Sequence, residues 1–139
     1  MTPPIIFLVA AVIAVGLALL VVIALTRGRA SVLNQAKYRE SWLKIENNLD
    51  KNNLATFQFA ILSADKLLDQ ALRESGVSGD TMGDRLKNSG TKFSKIDQIW
   101  TAHKLRNKIA HEPDAKISPI FLRKSLATFK QALKELGAI

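Results

Sequence analysis

The side chains best equipped for chemistry fall in one stretch, Ile96 to Pro113, which reads IDQIWTAHKLRNKIAHEP. It contains both histidines of the chain, His103 and His111, with Arg106 and Asn107 between them. On a helical wheel at about 100° per residue, Asp97, Thr101, Lys104 and Lys108 form one solvated strip. Gln98, Ala102, Leu105 and Ile109 form a second, mostly apolar one. A third gathers Ile96, Ile99, Trp100, His103, Arg106, Asn107 and Ala110, so His103, Arg106 and Asn107 share a face with core-type residues. His111 lies at the end of that face, one helical turn beyond Asn107. A cation turned towards a core needs partners, so this grouping calls for an explanation. One is chemical. Imidazole titrates near neutrality and can move protons to and from a ribose 2′-hydroxyl or a leaving oxygen. A guanidinium fork grips a phosphate and steadies charge growing on its oxygens. Asparagine can orient either group. The set would work without metal or other cofactor, and the sequence offers no carboxylate cluster to hold one. The other explanation is architectural. A histidine at a helix C-terminus can donate to free carbonyls, and Arg106 can pair with Asp65 or Asp69 of a neighbouring helix.

Helical elements must position these residues. Pro113 forbids continuation of the helix beyond about His111. Ser94 with Asp97 resembles a capping box that opens it, giving an element from about Lys95 to Ala110. Upstream, Tyr38, Trp42, Ile45 and Leu49 lie on one stripe of a helix expected over about Ala30–Leu49, which Asp50-Lys51-Asn52-Asn53 then breaks. Leu54, Phe57, Ile61, Ala64, Leu68 and Ala71 or Leu72 give the broadest apolar face, over about Leu54–Glu74, with Gly76 as its stop. A short helix is expected over Met82–Asn88, with Thr81 as N-cap and Asp84 at N3. The last helix starts at Ser118 with Pro119 in its first position, buries Leu122, Leu126, Phe129 and Leu133, and ends at Gly137. No strand pattern or repeat is present. The expected fold is all-α: a transmembrane helix followed by a four- to five-helix up-and-down bundle.

The membrane element is Pro4–Thr26, uncharged and nearly all Ile, Leu, Val, Ala and Phe. As a helix it spans about 34 Å, enough for a hydrocarbon core of about 30 Å. A cleaved signal peptide is the competing reading. It is disfavoured by the absence of Lys or Arg before the run, by its length and by the lack of a cleavage-like site. Arg27, Arg29, Lys37 and Arg39 follow the span, so the positive-inside rule places the N-terminus outside and the rest in the cytoplasm. The expected organisation is a single-pass plasma-membrane anchor, 1–28, and a cytoplasmic domain, 29–139. Ala10, Ala14 and Ala18 recur every four residues, a spacing that lets membrane helices approach closely but is also common filler.

The 20 basic and 12 acidic side chains all lie after Thr26, so the net charge of +8 belongs wholly to the second part. Such a domain favours anionic partners: phospholipid headgroups, nucleic acid or acidic protein. The chain has no cysteine, which excludes disulfides and thiolate zinc sites and fits a reducing compartment.

The segment Leu105-Arg106-Asn107-Lys108-Ile109-Ala110-His111 resembles the signature of the HEPN superfamily (higher eukaryote and prokaryote nucleotide-binding domains). That signature is R-x4-6-H, commonly with a polar residue after the arginine. Arg106, Asn107 and His111 match it. The context also fits, with the motif closing a penultimate long helix before one amphipathic helix. The resemblance covers roughly residues 31–139. It implies a metal-independent endoribonuclease acting as a homodimer in which two motifs face one cleft. Arg106 would stabilise the phosphate, His111 would act as acid–base, and Asn107 would support them; His103 joins as a supporting residue only through its shared face. Some members of the superfamily are non-catalytic, so two further expectations stand beside cleavage. One is a module binding a nucleotide, RNA or a protein partner, and the other is a structural, dimerising membrane protein.

Overall fold

A computed structural model of the chain describes residues 2–26 and 32–139. It has six helices: α1 (Pro3–Thr26), α2 (Gln35–Asn47), α3 (Leu54–Glu74), α4 (Met82–Asn88), α5 (Ile96–His111) and α6 (Pro119–Glu135). Among the described residues there is no strand, only an isolated bridge between Asp50 and Asn53. Helix α1 has 24 residues and is long and apolar enough to cross a membrane. Its described side chains are exposed, Ala10, Ala14 and Ala18 included. A helix apolar on every side has no polar face to offer water.

The remaining helices form a bundle whose long members alternate in direction. Helices α2 and α3 are tied near one end by Tyr38 Oη donating to Glu74 Oε2 at 2.8 Å, and near the other by the Asp50 amide donating to Thr56 Oγ1 at 3.0 Å. Gln35 on α2 donates to the Gly137 carbonyl beyond α6. Ser94 before α5 reaches Glu135 at the end of α6. The start of α2, the start of α5 and the ends of α3 and α6 therefore share one end of the bundle. Helix α3 packs most extensively, against α6 first and then α5 and α2. Tyr38, Ile61, Leu68, Leu72, Ile99, Leu122, Phe129 and Leu133 are sealed from solvent. They are among the apolar positions that the helical periodicity marks; of the others, Ile45 and Leu49 are half-buried, and Leu54, expected on the apolar face of α3, is exposed because it stands in the first turn at the end of the bundle.

Local signals decide most boundaries. Asn53 caps α3 by accepting from the Ala55 amide, and Gly76 ends it at φ +83°, a conformation that costs a glycine little. Thr81 and Asp84 form a reciprocal capping box on α4. Ser118 caps α6, with Pro119 in the first turn. Two boundaries differ from expectation. Helix α2 begins at Gln35, where Asn34 accepts from the Lys37 amide. Residues 32–34 are not helical, so α2 starts about a turn later than the apolar pattern suggests. The start of the expected span, 30–31, lies outside the described residues. Helix α5 has no side-chain cap. Ser94 turns instead to Glu135, and that tertiary bond replaces the local one expected with Asp97.

Candidate functional site

Helix α3 presents Asp65 from the middle of its apolar face, and α5 brings His103 against it. Asp65 is 3% exposed and His103 8%. His103 Nδ1 lies 2.7 Å from Asp65 Oδ1, and a carboxylate there requires Nδ1 to carry the proton. The other ring nitrogen, Nε2, faces Asn107 Nδ2 at 3.4 Å. An amide N–H points this way, and Nε2 accepts it in the tautomer that carries its proton on Nδ1. Asn107 Oδ1 in turn accepts from Arg106 Nη1 at 2.9 Å. Arg106 Nε stands 3.5 Å from Asp65 Oδ2, an ionic contact without hydrogen-bond geometry, and that buried nitrogen has no other partner among the described residues. The four side chains close a polar circuit, Asp65–His103–Asn107–Arg106–Asp65, between two packed helices. Trp100 meets the His103 ring edge-on, with centroids 6.0 Å apart.

The circuit lies in the wall of a cleft of about 920 Å³ lined by α3, α4, α5 and the loop before α4. Lys66 and Arg106 bring positive charge to it. The opposite side is held by Arg85 of α4, which donates from Nε to Asp69 Oδ1 at 2.6 Å and from Nη2 to Asp69 Oδ2 at 3.1 Å. Arg85 Nη1 also donates to the Gly79 carbonyl. Arg85 is 7% exposed, and the Asp69 carboxylate raises its already high pKa against the pull of burial. Nε and Nη2 thus hold α4 on α3, and Nη1 braces the loop before α4. Arg106 differs: its side chain is 37% exposed, and among the described residues its Nη2 makes no hydrogen bond.

Of the residues singled out in the sequence, the structure brings His103, Arg106 and Asn107 to this cleft. His111 is not among its lining residues. It sits exposed in the last turn of α5, with no hydrogen bond or ion pair among the described residues. Five residues from Arg106 on a regular helix, it is turned about 140° away, so one chain does not join the two ends of the R-x4-H motif in a single pocket. Asp65 and Asp69 both serve as arginine partners, Asp65 to Arg106 and Asp69 to Arg85. The part Asp65 plays towards His103 was not legible in the motif itself. A signal was present: Asp65 stands four residues after Ile61 and three before Leu68, an acid in the middle of the apolar stripe. Among the described residues no three His, Asp or Glu side chains are grouped to hold a metal ion.

No family model matches the sequence, and neither a curated protein nor a solved structure matches it significantly. The site must therefore be read from its own geometry.

Proposed function

We propose that the chain is a membrane-anchored, HEPN-like protein whose domain lies at the cytoplasmic face of the plasma membrane. Its cleft receives the phosphodiester backbone of RNA and cleaves it without a metal. The observation that carries this reading is the Asp65–His103 pair set beside the uncommitted edge of Arg106. Asp65 fixes the ring so that Nε2, the nitrogen able to accept a proton, is directed to Asn107 and the cleft. A phosphate oxygen entering there can accept from Arg106 Nη2 without breaking the circuit. A 2′-hydroxyl that takes the place of the Asn107 amide at Nε2 meets a base. His111 lies outside the cleft of its own chain, so the second proton-transfer group is supplied by a second copy, as the resemblance implies.

A second reading, a binding module for RNA or a nucleotide without turnover, is favoured by one specific observation. The circuit is closed on itself, and only one imidazole faces the cleft.

The full chain in detergent micelles, incubated with RNA in EDTA, separates the two. Cleavage requires that His103→Ala and His111→Ala each lower the rate by about 10²–10⁴-fold. It also requires that mixing Arg106→Ala with His111→Ala chains restores part of the activity. Saturable binding without cleavage, weakened by Arg106→Ala, establishes the second reading. A chain that neither binds nor cuts RNA ends both.

A further inference from the structure

The polar end of the bundle nearest α1 is a second surface with its own chemistry. Six residues, 27–32, join Thr26 to Leu33. Fully extended, that connection reaches at most about 25 Å. Leu33 is buried, and α2 is fastened to the ends of α3 and α6 by Gln35 to the Gly137 carbonyl and by Lys37 to Glu74 at 3.3 Å. Whatever membrane α1 occupies, this end of the bundle stays within that short reach of it. The opposite end, with Leu54 and the turn after His111, is set back by the length of α3, 21 residues or about 31 Å.

Arg73 and Lys134 lie in the last turns of α3 and α6, and Lys92 and Lys95 lie in the loop entering α5. All four are exposed, and among the described residues none makes an ion pair. Two carboxylates of this end are already engaged: Glu74 by Lys37, Tyr38 and Gln70, and Glu135 by Ser94. Asp97, exposed in the first turn of α5, leaves the balance positive. Beside Lys92 runs a shallow groove lined by Leu33, Leu136 and Val32, and Val32 is 94% exposed. Cations around a bare aliphatic side chain suit the boundary between headgroups and acyl chains.

We infer that this end of the bundle docks on anionic phospholipid headgroups, with Arg73, Lys92, Lys95 and Lys134 as its contacts. The inference rests on the anchoring part of the proposed function and not on its RNA chemistry. Each such cation near an anionic leaflet strengthens association roughly fivefold. Docking fixes the bundle upright, with the Asp65–His103 cleft opening along its flank and His111 facing away from the lipid.

The chain has no cysteine, so single reporters can be placed freely. Thr91→Cys and Asp114→Cys, both at exposed positions, would each carry a fluorophore on the full chain in lipid nanodiscs that contain a headgroup quencher. Quenching at residue 91 is expected to be several-fold stronger in discs of phosphatidylcholine with phosphatidylglycerol than in phosphatidylcholine alone, and residue 114 is expected to stay unquenched in both. Arg73→Glu with Lys92→Glu and Lys95→Glu should abolish the difference, whereas reversing Lys44, Lys104 and Lys108 should leave it intact. Equal quenching at the two sites, indifference to lipid charge, or indifference to the first reversal overturns the inference. A chain that stays out of the discs overturns the anchor and the inference with it. RNA activity is affected by neither result.

Discussion

Removing the Asp65 carboxylate tests the circuit most directly. In Asp65→Ala, His103 Nδ1–H loses its partner at 2.7 Å, and Arg106 Nε loses its only ionic neighbour among the described residues, at 3.5 Å. Breaking a buried pair by deleting one member costs about 3–5 kcal/mol, because the remaining group stays desolvated. The Arg106 side chain is 37% exposed and can swing to water, which places the expected loss near the lower bound, about 3 kcal/mol. Asp65→Asn keeps an acceptor for His103 and forfeits only the charge, a difference of about 1–2 kcal/mol. For a domain of this size about 1 kcal/mol moves the midpoint by roughly 4–8 °C, so Asp65→Ala should melt at least about 12 °C lower and Asp65→Asn roughly 4–16 °C lower. Thermal unfolding of the full chain in micelles, followed by tryptophan fluorescence, reads both, since Trp100 adjoins His103. A double-mutant cycle with His103→Ala should show a coupling above about 1 kcal/mol. A midpoint for Asp65→Ala within about 2 °C of the parent, or additive single mutants, would refute the claim that this carboxylate holds the imidazole.

Other expectations follow from neighbouring features. Arg85→Ala should lower stability by about 3 kcal/mol, and Arg85→Lys should recover little of it, because one ammonium cannot replace the two-pronged grip on Asp69 together with the Gly79 bond; denaturant midpoints check both. Gly79→Ala should destabilise by about 1–3 kcal/mol, since at φ +146° its Cβ would come within 2.8 Å of the Arg85 amide nitrogen. Glu46 is held below the ordinary value of 4.5 chiefly by its bond to Lys130, and Glu74 below 4.5 chiefly by Gln70, with help from Tyr38. A carboxylate depressed in the folded state adds stability that is present above 4.5 and is lost as pH falls through the lowered folded values; unfolding midpoints from pH 6 to 3 should drop across that window, and Glu74→Gln should flatten the slope. Burial, then the bond to Glu74, pushes the Tyr38 phenol far above its usual 10.0, so stability is full below 10 and should fall as pH rises beyond it, with phenolate absorbance appearing only on unfolding.

The helices could be read from the chain because each apolar stripe repeats at the helical period and most ends carry their own signal. Ser118-Pro119, Thr81 with Asp84 and the stop at Gly76 are complete within a few residues. Where a boundary depends on a distant partner, the local pattern misleads: Ser94 could cap its own helix but finds Glu135, 41 residues away. The same division holds for the candidate site. That His103, Arg106 and Asn107 share a face follows from their spacing on one helix. That His103 points at Asp65 depends on how α3 and α5 cross, which no spacing within α5 encodes. His111 shows the converse. Its place in a short motif suggested convergence with Arg106, yet helix geometry alone sets the two about 140° apart; only an assembly of chains can reunite them.

The attachment of α4 has a consequence for how the cleft can vary. This seven-residue helix rests mainly on α3, and one arginine clamps it there, whereas the floor formed by α3 and α5 is welded into the common core through α6. Substitutions along α4 can therefore widen, narrow or re-charge the opening while Asp65 and His103 keep their places. The molecule separates a part that must stay rigid from a rim whose outward positions are free to be retuned, so the mouth of the cleft can change shape and charge without risk to the frame.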